Sequence, residues 1–291
     1  LKHYLHLHFI VFIWGFTAIL GALISIDSVP LVWYRMLVAT VIVLAYFIIR
    51  KKSLAIPPKA IIKFIIGGVL IATHWIAFFS AIKIANVSIA LVAMSTGALF
   101  TSLIEPIFFK RKIIPLELLF GLIVVSGLYL IFNVEGEYSL GIIYALIAAF
   151  LSALFSVLNG LFVRQYDGEV ISFYQLLFGV GFITIYILAT TGFNIQDYTL
   201  TNSDILYLFI LSSICTAYAF IVSVKIMKYI TPYTVMLTIN LEPIYGIILA
   251  VIVFGEKEKM SFEFYIGACI ILITVIVNGI LKNKKSHKLP I

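Results

Sequence analysis

Ten runs of predominantly apolar residues follow one another along the chain, at approximately 6–25, 31–49, 61–82, 88–109, 116–133, 140–162, 171–190, 205–226, 232–254 and 262–281. A helix needs about 20 such residues to cross the hydrocarbon of a bilayer. Lipid offers no partner to a backbone amide, so each crossing segment must satisfy its own hydrogen bonds. The runs lack the apolar–polar alternation of a β-barrel strand. The expected fold is therefore all-α: a polytopic membrane protein with ten transmembrane helices. Composition agrees, since 63% of residues are hydrophobic and 11% charged, against about 45–50% and about 25% in a soluble domain.

The net charge of +7 raises the question of nucleic acid, and the placement of the charges answers it. Of the 20 Lys and Arg residues, only Lys83, Lys257 and Lys259 fall in loops on one side of the expected topology, and Arg35 lies inside a span. The others gather on the opposite side, with both termini. Positively charged loops stay in the cytoplasm, so both termini are expected to be cytoplasmic. The charge reports topology, and no nucleic-acid partner is expected. With nine more spans behind it, the first is read as an uncleaved helix rather than a signal peptide.

The chain also resembles itself. Shifted by about 146 positions, Leu116-Glu117 with Gly121 falls on Phe262-Glu263 with Gly267, and the run Asn86–Lys110 falls on Pro232–Glu256 without a gap. A shift of about 140 places Trp33-Tyr34-Arg35 over Phe173-Tyr174-Gln175. The unit holds five spans. An odd number makes the second copy enter the membrane from the other side, so residues 1–134 and 135–291 are expected to form two inverted five-helix repeats within one membrane domain. Inverted repeats commonly build transporters with a site near mid-membrane.

The ninth span carries Asn240, Glu242 and Pro243 near its middle. A carboxylate at that depth costs about 2.5–3.5 kcal/mol on insertion scales, so it belongs against protein or water rather than lipid. Pro243 has no amide hydrogen to donate and marks a helix break. Thr234, Thr238, Glu242, Gly246 and Ala250 recur every fourth residue, which puts them on one face, read as the wall of a cavity. Glu242 is a candidate for proton exchange or for holding a cationic part of a substrate, with a buried structural pairing as the plain alternative.

Other polar groups inside spans carry two readings each. Arg35 either snorkels to headgroups or anchors an anionic group of a substrate. His74, Trp75 and Phe78 share a face of the third span; a lone histidine with no second ligand at metal spacing is a poor metal site. Trp14, Tyr218 and Asn240 pack or line a moderately polar pocket. Glu105 is read as an interfacial acid paired with Lys110, Arg111 and Lys112, the alternative being that its stripe with Ala93, Gly97 and Thr101 borders the cavity. Ala148, Ser152, Ser156 and Gly160 are read as a small-residue packing stripe, with Asn159 the polar group next to it that could meet a cavity. Cys215 and Cys269 both fall inside spans, so neither a disulfide nor a cysteine metal site is expected. Hydrolase motifs, phosphate loops and paired intramembrane aspartates are absent from the sequence, which leaves little support for an enzyme. No cofactor is expected.

Several short motifs resemble the EamA-like members of the drug/metabolite transporter superfamily. They are Ile13-Trp14-Gly15-Phe16, Arg35, Ala81-Ile82 with Ser88-Ile89-Ala90, Thr216-Ala217-Tyr218-Ala219, Leu241-Glu242-Pro243 and Phe254-Gly255-Glu256. The resemblance covers essentially the whole chain. In the first half Gly97 stands where the proline would be and Lys110-Arg111 where the terminal acid would be, so the first copy is expected to lack part of the helix break. The resemblance implies a secondary transporter of the bacterial inner membrane, often an exporter of amino acids or other small metabolites. It further implies a basket of helices around a central cavity, with the fifth and tenth spans outside the core. By that analogy the wall would include Trp14, His74, Trp75, Tyr218, Asn240 and Glu242. Alternating access with proton coupling through Glu242 is the leading expectation. An uncoupled facilitative carrier and a non-transporting membrane scaffold stay open beside it.

Overall fold

The structure, a computed structural model, describes residues 2–110, 112, 115–239 and 241–286. All regular structure among the described residues is helical. The first half contains α1 (Lys2–Leu23), α2 (Ser28–Ile49), α3 (Pro58–Ile84), α4 (Val87–Met94), α5 (Gly97–Phe109) and α6 (Pro115–Val134). The second half contains α7 (Ser139–Phe162), α8 (Gly168–Ala189), α9 (Asn202–Ser212), α10 (Ala219–Ile226), α11 (Pro232–Ile239), α12 (Glu242–Phe254) and α13 (Phe262–Ser286). The protein is a multi-pass membrane protein. Seven helical stretches among the described residues are long and apolar enough to cross a bilayer, the last being Asn202–Ile226. The fifth and tenth expected spans, α6 and α13, have shorter apolar stretches, Leu119–Val134 and Phe262–Thr274.

Local chemistry sets the ends. The Asn86 side chain accepts the Ile89 amide at 2.8 Å and caps α4, satisfying an amide the helix itself leaves open. Thr201 and Asp204 form a reciprocal capping box at the start of α9. Gly255 ends α12 at φ +58°, a conformation that costs a residue without a side chain little.

Three expected spans are not simple helices. The fourth divides at Ser95–Thr96, where the two hydroxyls donate to the carbonyls of Val92 and Ala93 at 2.5 and 2.7 Å. The first half thus has a break without a proline: side-chain hydroxyls compete for the carbonyls a helix would use. The ninth divides between α11 and α12 on either side of Asn240, which lies outside the described residues. In the eighth, Ser213–Tyr218 forms a π-helical turn between α9 and α10.

The bundle centre is built from α1, α2, α3, α7, α8 and the α9–α10 span. Here α3 packs on both α7 and α8, α1 on α12, and α4 and α5 on α7. Helices α6 and α13 pack mainly on each other, with Val124, Ile131, Phe264 and Ile271 in a separate apolar cluster that reaches Ile89 of α4.

Contacts between loops define two ends. At one, Asp204 accepts the Ser25 amide and hydroxyl, each at 2.7 Å, Lys83 donates to the Ile24 carbonyl, and Ser261 donates to Glu135. At the other, Glu169 is ion-paired with Lys52 and, at 2.6 Å, with Lys225, while Lys63 donates to Gln165.

Candidate functional site

A cavity of about 80 Å³ lies inside the bundle, between α1, α2, α3, α7, the α9–α10 span and the broken ninth span. That is room for roughly five to eight water molecules at about 10–15 Å³ each. It runs from Arg35 and Met94 towards Met227 and Val235, where α10 meets α11.

Glu242 lines it from the first turn of α12. The residue is only partly buried and makes no hydrogen bond or ion pair to a described residue. Its carboxylate therefore meets the cavity rather than a dry contact. Pro243, directly behind it, is buried at the head of α12, where a missing amide hydrogen is least costly.

Arg35 faces the same space from α2 and is 1% exposed. Its Nε donates to Thr216 Oγ1 at 2.6 Å, and its guanidinium lies 4.0 Å from the Trp75 ring centre, a favourable stacking of cation on π-face. Arg35 is held inside the bundle, so the snorkelling reading does not apply.

Trp75 and His74 both line the cavity from α3. His74 Nδ1 lies 2.8 Å from the Ala148 carbonyl. A carbonyl only accepts, so Nδ1 carries the hydrogen and Nε2 is left to meet a ligand or water. Trp14 lines it from α1, its indole N–H bonded to the Cys215 carbonyl at 3.0 Å.

Some expectations need correction. Tyr218 is not a lining residue: it is 41% exposed and its hydroxyl pairs with His6 at 2.7 Å. The π turn inserts an extra residue and rotates Tyr218 off the face it would hold in an α-helix. Nor does the every-fourth stripe form the wall. Among the described residues, Val235 and Ile239 line it from α11, and only Glu242 of the stripe takes part. A Cβ on Gly246 would strike Leu91 of α4, and Gly246 approaches Gly15 of α1, so the small residues serve helix packing. Asn159 is fully buried against Gln175, which donates to it at 2.9 Å, outside the cavity. Glu105 is buried on α5, also outside it.

Other lining residues were not singled out from the sequence. Ser152 and Ser156, assigned to packing, line the cavity, and Ser156 reaches Met236 sulfur at 3.2 Å. Thr17, Cys215 and Ser223 line it as well. Small polar residues at helix spacing look alike whether they pack or line, so only the fold distinguishes them.

The family comparison fits this geometry. The model of the EamA-like transporter family matches residues 2–133 and 139–280, and the chain belongs to that family. Among curated relatives, an uncharacterized transporter of Archaeoglobus fulgidus is 26% identical and covers 99% of each chain. An uncharacterized transporter of Clostridium kluyveri is 27% identical over 72% of this chain and 68% of its own length. A solved crystal structure at 17% identity covers 96% of both chains with a TM-score of 0.70, a likeness of fold alone. Membership implies a small-molecule substrate and a membrane setting.

Proposed function

We propose that the protein is a secondary active transporter that exports amino acids or other small metabolites across the inner membrane, coupling export to protons. Its termini lie in the cytoplasm, and its halves are inverted repeats that alternate access to the central cavity. The carrying observation is that Glu242, partly buried and without a hydrogen bond or ion pair to a described residue, shares one cavity with the buried Arg35 guanidinium. A carboxyl group in an enclosed, partly polar space can take up and release a proton, and acids within membrane spans are commonly functional.

Three further features support the reading. The family match falls in two stretches of similar length, residues 2–133 and 139–280. Cross-half packing comes in pairs: the first span meets the ninth as α1 on α12, and the fourth meets the sixth as α4 and α5 on α7. The breaks at Ser95–Thr96 and beside Leu241 occupy matching places under the 146-residue shift. The lysine-rich end of the bundle faces the cytoplasm in this arrangement.

Purified protein in proteoliposomes tests the coupling. Counterflow of a loaded amino acid should respond to an imposed pH gradient in wild type. Glu242→Gln should remove that response. A variant that keeps both transport and its pH dependence refutes proton coupling through Glu242, and wild-type flux indifferent to the gradient identifies a facilitative carrier.

A further inference from the structure

Arg35 is buried but not ion-paired to any described carboxylate. Nε is taken by Thr216 Oγ1 at 2.6 Å. One face of the guanidinium lies against Trp75 at 4.0 Å, with Phe79 at 5.4 Å. Nη1 is buried and has no hydrogen-bond partner.

Thr216 fixes the aim. Its hydroxyl donates to the Leu211 carbonyl at 2.7 Å, five residues back, a reach that fits the π turn Ser213–Tyr218. A hydroxyl has one hydrogen, so with that hydrogen committed the Thr216 oxygen can only accept from Arg35. The guanidinium is thereby held at Nε and braced by aromatic rings. Its Nη edge is left for the cavity that Arg35 lines.

We propose that this Nη edge is the receptor for a carboxylate group of the cargo, and that Thr216 is its positioning residue. The proposal rests on the transporter reading of the cavity and narrows the substrate class. Two parallel N–H groups match the two oxygens of a carboxylate. A doubly charged phosphate fits less well, because the single guanidinium shares its small cavity with Glu242.

The test uses full-length protein in detergent and in proteoliposomes, with the twenty common amino acids each beside its carboxamide as probes. At least one acid should raise the melting temperature while its carboxamide leaves it unchanged. Thr216→Val should weaken binding of that acid by about tenfold, the scale of one hydrogen bond to a charged group. It should raise KM rather than lower kcat, and Thr216→Ser should restore binding. Arg35→Lys, which keeps the charge and loses the fork, should abolish discrimination between acid and carboxamide. The melting temperature of each unliganded variant reports whether it folds. Equal binding of acid and carboxamide, wild-type affinity in Thr216→Val, or no binding of any acid overturns the proposal. If amides are carried and acids are not, the transporter reading survives and only the carboxylate receptor falls. If the wild type neither binds nor carries any probe, both fall.

Discussion

Glu258, in the turn after the neighbouring helix α12, closes the N-terminus of α4. Its Oε1 accepts the Val87 amide at 3.0 Å, and its Oε2 accepts the Ser88 amide and hydroxyl at 2.9 and 2.8 Å. A carboxylate at a helix N-terminus meets both free amides and the positive end of the dipole. Glu258 stands in the turn after α12, so it ties the second half to the first at the end where Asp204 holds Ser25. The cavity extends the other way, towards Met227 and Val235.

Removing that carboxylate should loosen this end. Glu258→Ala leaves buried amides at Val87 and Ser88 without their acceptor, which costs about 1–3 kcal/mol. Denaturation of the purified variant in mild detergent should show a loss of that size. Stability equal to wild type shows that water replaces the carboxylate and that the contact does not close the bundle.

The α3–α8 crossing depends on Gly68. A Cβ there would sit 2.7 Å from the Gln175 carbonyl oxygen and 2.9 Å from the Gly179 nitrogen. These are backbone atoms and cannot turn aside. Gly68→Ala should therefore cost about 1–3 kcal/mol by overpacking. Gly181, also on α8, has nothing within 4 Å of a built Cβ. Gly181→Ala should be neutral, or stabilising by up to about 1 kcal/mol through helix propensity. Melting temperatures of the two variants give the comparison, and a similar loss in both removes the crossing as the cause.

The multi-pass character and much of the cavity lining were legible because a charge or an indole inside an apolar run stands out against its surroundings. Arg35, His74, Trp75, Trp14 and Glu242 come from four different stretches of sequence and meet in one cavity. What the sequence hid depends on helix phase and on long-range pairing. The π turn carries no compositional mark, so Tyr218 was placed on the wrong face. Ser95–Thr96 breaks a helix by hydroxyl competition, which is less visible than a proline. Ser156 and Gly246 are both small residues at helical spacing, yet one lines the cavity and the other packs on a neighbour. The cross-half partners of Glu258 and Asp204, Ser88 and Ser25, lie more than 150 residues away in sequence, and nothing local announces them.

Lys52 gives a pH signature outside the spans. Its hydrogen bond to Glu169, helped by Tyr46, holds its ammonium above the usual lysine range. A group raised in the folded state contributes stability that is fully present below its unfolded pKa, about 10.4 for lysine, and lost as pH rises through the folded value. The side chain is largely exposed, so the contribution is small. The stability difference between wild type and Lys52→Met should be constant through neutral pH and shrink towards zero above about pH 10.4. A difference that grows with alkalinity contradicts the pairing.

Pro243 separates stability from movement. It occupies the first turn of α12, where a helix leaves its amides unpaired in any case, so the ring costs little there. Pro243→Ala supplies an amide hydrogen that can bond the Ile239 carbonyl and join α11 to α12 as one helix. Its folding stability should stay within about 1 kcal/mol of wild type, since the hydrogen bond gained offsets the buried ring methylenes lost. Glu242 would then be carried by a continuous helix, and the hinge that the proposed alternation requires would stiffen. Counterflow in proteoliposomes should slow while ligand-induced thermal stabilisation persists. Unchanged flux in a variant of unchanged stability would show that the break is not where the ninth span bends.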